Sequence, residues 1–136
     1  MINILIGVCG IGNGHINRQK AVIDALLGCN TNIVIATTLK SKALFNKAYP
    51  SIKVVIIHIP WIICGEKGVD FNRTLQYHQS DGTDYFMEFL KFSNEVSACF
   101  GNRLPDLVIS DYEPNVARYS YAINKPLICM DQQSKF

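Results

Sequence analysis

The sequence predicts an α/β fold, a parallel sheet with helices on both faces. Three observations lead there: short aliphatic runs alternate with stretches of helical period, the first run closes in glycines, and all connections but one are short. Strand-helix-strand alternation calls for right-handed crossovers, each of which lays a helix back onto the sheet.

Taken in order, Ile2 to Cys9 is aliphatic except at Asn3 and Gly7 and runs into Gly10-Ile11-Gly12-Asn13-Gly14-His15. An apolar run ended by glycines reads as a strand buried on both faces. Helical period follows. Ile16, Ile23, Leu26 and Leu27 share a stripe with Val22 beside it, Asn17, Arg18, Lys20 and Asp24 fall mostly off it, and Gly28 supplies the stop. Asn32 to Thr37 is a second strand, Leu39 to Tyr49 a helix ended by Pro50, and Ile52 to Ile59 a third strand. From Pro60 to Gly82 no period holds, and Gly65, Gly68 and Gly82 punctuate a long irregular segment of the kind that carries function or moves. Thr83 to Phe100 returns to helix, with Tyr85, Phe89, Phe92, Val96 and Phe100 on a stripe that packs on the sheet. Leu107 to Ser110 is the fourth strand, Pro114 to Ile123 a helix with proline in its first turn, and Leu127 to Met130 the fifth strand. The doubly wound strand order 3-2-1-4-5 is expected. It makes the first and fourth strands neighbours at the topological switch point, where ligands bind beyond the carboxyl ends of the strands.

Composition bounds the rest. The 136 residues suit one domain, and 49% hydrophobic against 18% charged residues is enough apolar material for a core. Thirteen Lys and Arg against eleven Asp and Glu leave a net charge of +2 without a basic run, so a nucleic-acid partner is not expected. Cys9, Cys29, Cys64, Cys99 and Cys129 form no C-x-x-C pair and no zinc-spaced cluster. They read as small buried residues in a reducing, cytoplasmic setting. Val54 to Cys64, the longest apolar stretch, is interrupted by His58 and Pro60 and falls short of the roughly 20 residues that span a bilayer. Ile2 to Val8 lacks the basic flank of a secretion signal.

Two segments converge at the switch point, Gly10 to His15 and Asp111 to Pro114. Gly10, Gly12 and Gly14 let backbone come close to a ligand, and the helix N-terminus behind them offers N–H groups and partial positive charge to a phosphate or pyrophosphate. The spacing is not G-x-G-x-x-G, because His15 stands where the last glycine would, and no Gly-Lys-Ser/Thr of a Walker loop follows. A turn that merely joins strand and helix is the simpler alternative. His15, in the first helical turn, is a candidate base, and Asp111 its candidate orienting partner; local capping by each is the alternative. Arg18 either reaches a phosphate or stands solvated. Glu113, just before Pro114, either caps a helix or binds a hydroxylated ligand. Asp131, Gln132 and Gln133 either bind sugar hydroxyls or form a polar turn. His58 and His78 have no partners at recognisable spacing. Pro60-Trp61-Ile62-Ile63-Cys64 is core or a lipid-facing or acceptor-facing patch.

The opening Ile4 to His15 with Arg18 resembles the start of GT-B glycosyltransferases, in particular those related to the N-acetylglucosaminyltransferase of peptidoglycan lipid synthesis. Pro105-Asp106-Leu107-Val108-Ile109-Ser110-Asp111-Tyr112-Glu113-Pro114 and Lys125 to Gln133 resemble the later part of that family's N-terminal domain. The resemblance implies a three-layer Rossmann-like doubly wound sheet over residues 1–136, one half of a GT-B architecture. It also implies metal-independent transfer of a sugar from a nucleotide-diphosphate donor to an acceptor hydroxyl, with no other cofactor. On it, His15 is the general base and Asp111 its partner. Gly10, Gly12, Asn13 and Gly14, with Arg18, line the donor's diphosphate, and Glu113, Asp131 and Gln132 meet the acceptor. The donor-binding domain of such enzymes is not among these residues, so the chain is expected to need a C-terminal domain or partner subunit and to be inactive alone, with peripheral contact at the inner membrane face. Two other readings stand beside it: a non-catalytic recruiting subunit of a split glycosyltransferase, and a free-standing nucleotide-binding Rossmann domain.

Overall fold

Seven strands and four helices are described by the computed structural model, which covers residues 1–9, 13–57, 64–65, 68–69 and 85–130. In chain order they are β1 (Ile2–Val8), α1 (Asn13–Leu27), β2 (Thr31–Thr37), α2 (Leu39–Ala48), β3 (Lys53–Ile56), β4 (Cys64–Gly65), β5 (Gly68–Val69), α3 (Tyr85–Cys99), β6 (Leu107–Asp111), α4 (Pro114–Ala122) and β7 (Leu127–Cys129). Five of the strands form one parallel sheet in the order β3-β2-β1-β6-β7, the expected doubly wound arrangement.

The central strand is aliphatic because both of its faces are covered. Successive side chains point to opposite faces. Ile4, Ile6 and Val8 of β1 therefore join Ile33 and Ile35 of β2 and Ile109 of β6 under Ile16 and Ile23 of α1 and Phe45 of α2. Leu5, Val34, Ala36 and Val108 face the other way, onto Phe92, Val96 and Phe100 at α3 and Val116 and Tyr119 of α4. Phe89, Phe92, Val96 and Phe100 of the expected stripe thus pack on the sheet, with Phe92 edge-on to Tyr119 at 5.9 Å between ring centroids. Gly7 lies on this second face, where α4 crosses β1.

Helix ends follow local chemistry. At the close of α3, Gly101 takes φ +63°, the Asn102 N–H donates to the Ser97 carbonyl at 2.8 Å and the Gly101 N–H to that of Ala98 at 3.2 Å. This is the left-handed ending in which two orphan carbonyls find donors. Tyr49, beyond α2, sends its hydroxyl to Asp24 Oδ1 at 2.6 Å, which ties α2 to α1. Burial first, and then the Asp24 hydrogen bond and charge, push the Tyr49 phenol up to about 12.

Several expected boundaries move. The third strand ends at Ile56 because its ladder partner Thr37 is the last residue of β2. The fourth extends one residue further than expected, to Asp111, which pairs in register with Val8. The aperiodic stretch after β3 contains an antiparallel pair, β4 with β5, of two residues each. The expectation of buried cysteines fails in part: Cys9 is buried and Cys99 half-buried, but Cys29 and Cys129 are exposed. Edge strand β7 is exposed throughout, with Leu127 at 37% and Ile128 at 47%. Trp61 and its apolar neighbours, His58 and His78 lie outside the described residues. Among the described residues no helix is long and apolar enough to cross a membrane.

Candidate active site

Strand parity decides where the Asp111 carboxylate goes. Asp111 shares a face with Leu107 and Ile109, the face covered by α1, and the Cys9 N–H holds its carbonyl at 3.0 Å. On α1, His15, Arg18 and Gln19 stand three and four residues apart and so project from one side of the helix. Their side chains converge on the carboxylate. His15 Nδ1 lies 2.6 Å from Asp111 Oδ1, Arg18 donates from Nε to Oδ2 at 2.8 Å and from Nη2 to Oδ1, and Gln19 donates from Nε2 to Oδ2 at 2.7 Å.

Asp111 is fully buried under these groups, whereas the side chains of His15 and Arg18 are 25% and 34% exposed. Burial alone would push the Asp111 carboxyl up. The hydrogen bonds from Arg18, His15 and Gln19, together with the Arg18 charge, outweigh burial and hold it below the usual carboxylate value. Ionised, it can only accept, so His15 Nδ1 carries a hydrogen and donates. Arg18 Nη2, 3.3 Å from the same Nδ1, is then an approach of two donors and not a bond.

The turn after β6 adds an aromatic wall. Ser110 Oγ donates to the Glu113 carbonyl at 2.8 Å and accepts from the Glu113 N–H at 3.2 Å. So tight a turn puts Tyr112 at φ +53°, a left-handed conformation that a bulky residue adopts only when its surroundings impose it. Its ring lies nearly parallel to His15, 6.1 Å between centroids and 12° between planes, and is 42% exposed.

Glu113, for which capping and contact with an acceptor are both expected, has its carboxylate engaged in a cap. It is the N-cap of α4: one carboxylate oxygen accepts from the Val116 N–H at 2.7 Å, the other from Asn115 Nδ2 at 2.9 Å, and the residue is 1% exposed. That is the capping alternative, with Pro114 in the first turn where its missing N–H costs nothing. Burial pushes its carboxyl above the ordinary value, against the pull of its hydrogen bonds.

Asp111 and Glu113 therefore respond to acid with opposite signs. Stability owed to Asp111 is complete above the ordinary value of 3.8 and is lost as pH falls through its lower folded value. The ionised Glu113 costs stability above its raised folded value, and that cost is relieved as pH falls toward the ordinary 4.5. Urea midpoints measured across the acid range should show Glu113→Gln losing the gain above 4.5 and Asp111→Asn losing the decline below 3.8.

Of the other expected site residues, Asn13 and Gly14 open α1. A Cβ at Gly14 would meet no atom of the described residues within 4 Å, so no packing among them demands a glycine there. Gly10, Gly12, Asp131 and Gln132 lie outside the described residues. Among the described residues no three His, Cys, Asp or Glu side chains gather as a metal site would require. Gln19 and Tyr112 are the site members that the sequence reading leaves unassigned, and Arg18 turns out to grip Asp111.

A doubly wound sheet in this strand order, with its polar cluster at the switch point, has the fold of one Rossmann-like half of a GT-B glycosyltransferase. MurG of Acinetobacter baumannii superposes with a TM-score of 0.64 at 11% identity, over 97% of this chain and 35% of that one. The glycotransferase of kitacinnamycin gives 0.62 at 12%, over 95% and 30%, and the calicheamicin glycosyltransferase CalG4 gives 0.58 at 18%, over 96% and 32%. The chain thus spans about a third of the length of these structures. It belongs to glycosyl transferase family 1, whose family model matches residues 2–136. No curated protein matches it.

Proposed function

We propose that this domain is the acceptor side of a glycosyltransferase that moves a sugar from a nucleotide-diphosphate donor to a hydroxyl group, with His15 as general base. The observation that carries the reading is the 2.6 Å approach of His15 Nδ1 to the buried Asp111 carboxylate at the switch point. With Nδ1–H committed to Asp111, Nε2 takes the proton of the acceptor hydroxyl as that oxygen bonds to the sugar's anomeric carbon. The bond from the anomeric carbon to the diphosphate oxygen breaks, and the nucleoside diphosphate leaves with the electron pair. The first-turn N–H groups and positive dipole end of α1 suit the charge that develops there, and a Cβ at Gly14 would meet no described atom within 4 Å, which favours a close approach. A further domain or partner subunit holds most of the donor. Asp131 and Gln132 are assigned to acceptor hydroxyls.

The test is acceptor-dependent release of nucleoside diphosphate from nucleotide sugars by the longest natural chain or complex that carries this domain. Release lost in His15→Ala supports the reading. Release unchanged by that substitution makes the domain a recruiting module, and tight NAD binding without transfer makes it a free-standing nucleotide-binding domain.

A further inference from the structure

We infer that Arg18 is a charge-balancing positioning residue: its guanidinium absorbs the Asp111 charge, so that the carboxylate orients His15 without drawing a second proton onto the imidazole. The catalytic consequence rests on the base role proposed above, but the protonation of the ring can be read without catalysis.

A buried carboxylate at hydrogen-bond distance from an imidazole favours the ion pair, in which both ring nitrogens carry hydrogen and no base remains. Among the described residues, the groups that face His15 are Asp111 from β6, Arg18 from its own helix, the Tyr112 ring from the turn and the N–H end of α1. Of these, Asp111 brings one negative charge and Arg18 one positive charge. The pairing is specific to arginine, because Nε and Nη2 reach the two carboxylate oxygens as a fork, one bond to each. Gln19 completes the grip from the buried side. It is fully buried and donates to Oδ2, while its own Oε1 has no partner among the described residues. An amide kept in the core with one end unsatisfied costs free energy, and what it secures here is the position of the carboxylate.

Nitrogen-15 NMR of the histidine rings tests this on the full chain. His15→Gln assigns the His15 signals among those of the three histidines. At neutral pH the wild-type His15 ring should show one protonated nitrogen, Nδ1, and one bare nitrogen. Arg18→Met should raise the ratio of doubly to singly protonated ring about tenfold or more, and Arg18→Lys, which keeps the charge but not the fork, should bring the ratio back toward the wild-type value. If Arg18→Met does not fold, Arg18→Gln drops the charge while keeping a donor and gives the same reading. A singly protonated ring in a folded, charge-removed variant overturns the inference while leaving the base role standing. A wild-type ring already doubly protonated at neutral pH overturns both.

Discussion

Gly7→Ala is expected to lower the unfolding free energy by about 3 kcal/mol, a large effect for one methyl group. A Cβ on Gly7 would stand 2.2 Å from Cγ2, 2.6 Å from Cγ1 and 2.9 Å from Cβ of Val116. Neither side can give easily. Gly7 is in register with Ala36 of β2 on one side and Ser110 of β6 on the other, which fixes the strand backbone. Val116 is fully buried, and its β-branched side chain has one favoured rotamer in a helix. The strain falls on α4, whose first turn is fixed by the Glu113 cap and, through Ser110, to the turn that presents Tyr112. Denaturant midpoints check the size of the effect. Gly7→Ala combined with Val116→Ala should cost less than the two single changes added together, because the smaller side chain removes two of the three clashes.

How far the residues foretell this site depends on which interactions decide each part. The sheet order is legible because alternation, short connections and right-handed crossovers leave few arrangements, and that order brings Gly14, His15 and Asp111 to one sheet edge. The reach of β6 to Asp111 is not legible, since it depends on the register that sets Asp111 beside Val8 of β1. β4 and β5 are too short to show any period. Gln19 carried a readable signal: it stands three residues after Ile16 and four before Ile23, on the apolar stripe of α1 itself. A polar side chain there is either a fault in the core or the buried end of a polar site, and its bond to Asp111 makes it the second. Tyr112 carried none, because its left-handed backbone follows from the Ser110 bonds across the turn. Leu127, Ile128 and Cys129 have the aliphatic character of a buried strand yet are exposed, since hydrophobicity encodes that a face is to be covered and not by what.

On the base role proposed for His15, Asp111→Asn is expected to reduce the kcat of sugar transfer by the protein that carries this domain at least as much as His15→Ala, by a factor of about 10²–10⁴. The reason lies in the donors around the carboxylate. Oδ2 accepts from Arg18 Nε and Gln19 Nε2, while Oδ1 accepts from His15 and from Arg18 Nη2. An asparagine has one acceptor oxygen, while each carboxylate position is claimed by two donors; with the oxygen at the Oδ2 position the Arg18 Nε and Gln19 bonds are kept. Its NH₂ group is then turned toward His15, where it can only donate, so Nδ1 must become the acceptor and the hydrogen moves to Nε2. The nitrogen that should take the acceptor proton is now occupied. His15→Ala removes the base and leaves a space that water can enter, whereas Asp111→Asn leaves a ring in place with the wrong tautomer. The two substitutions should therefore differ when small imidazoles are added: His15→Ala regains part of its activity and Asp111→Asn regains none. Equal rescue of both, or full activity in Asp111→Asn, would show that the carboxylate does not set the tautomer. The KM for the acceptor should change less than kcat in either variant, because the proton moves in the transition state and not on binding.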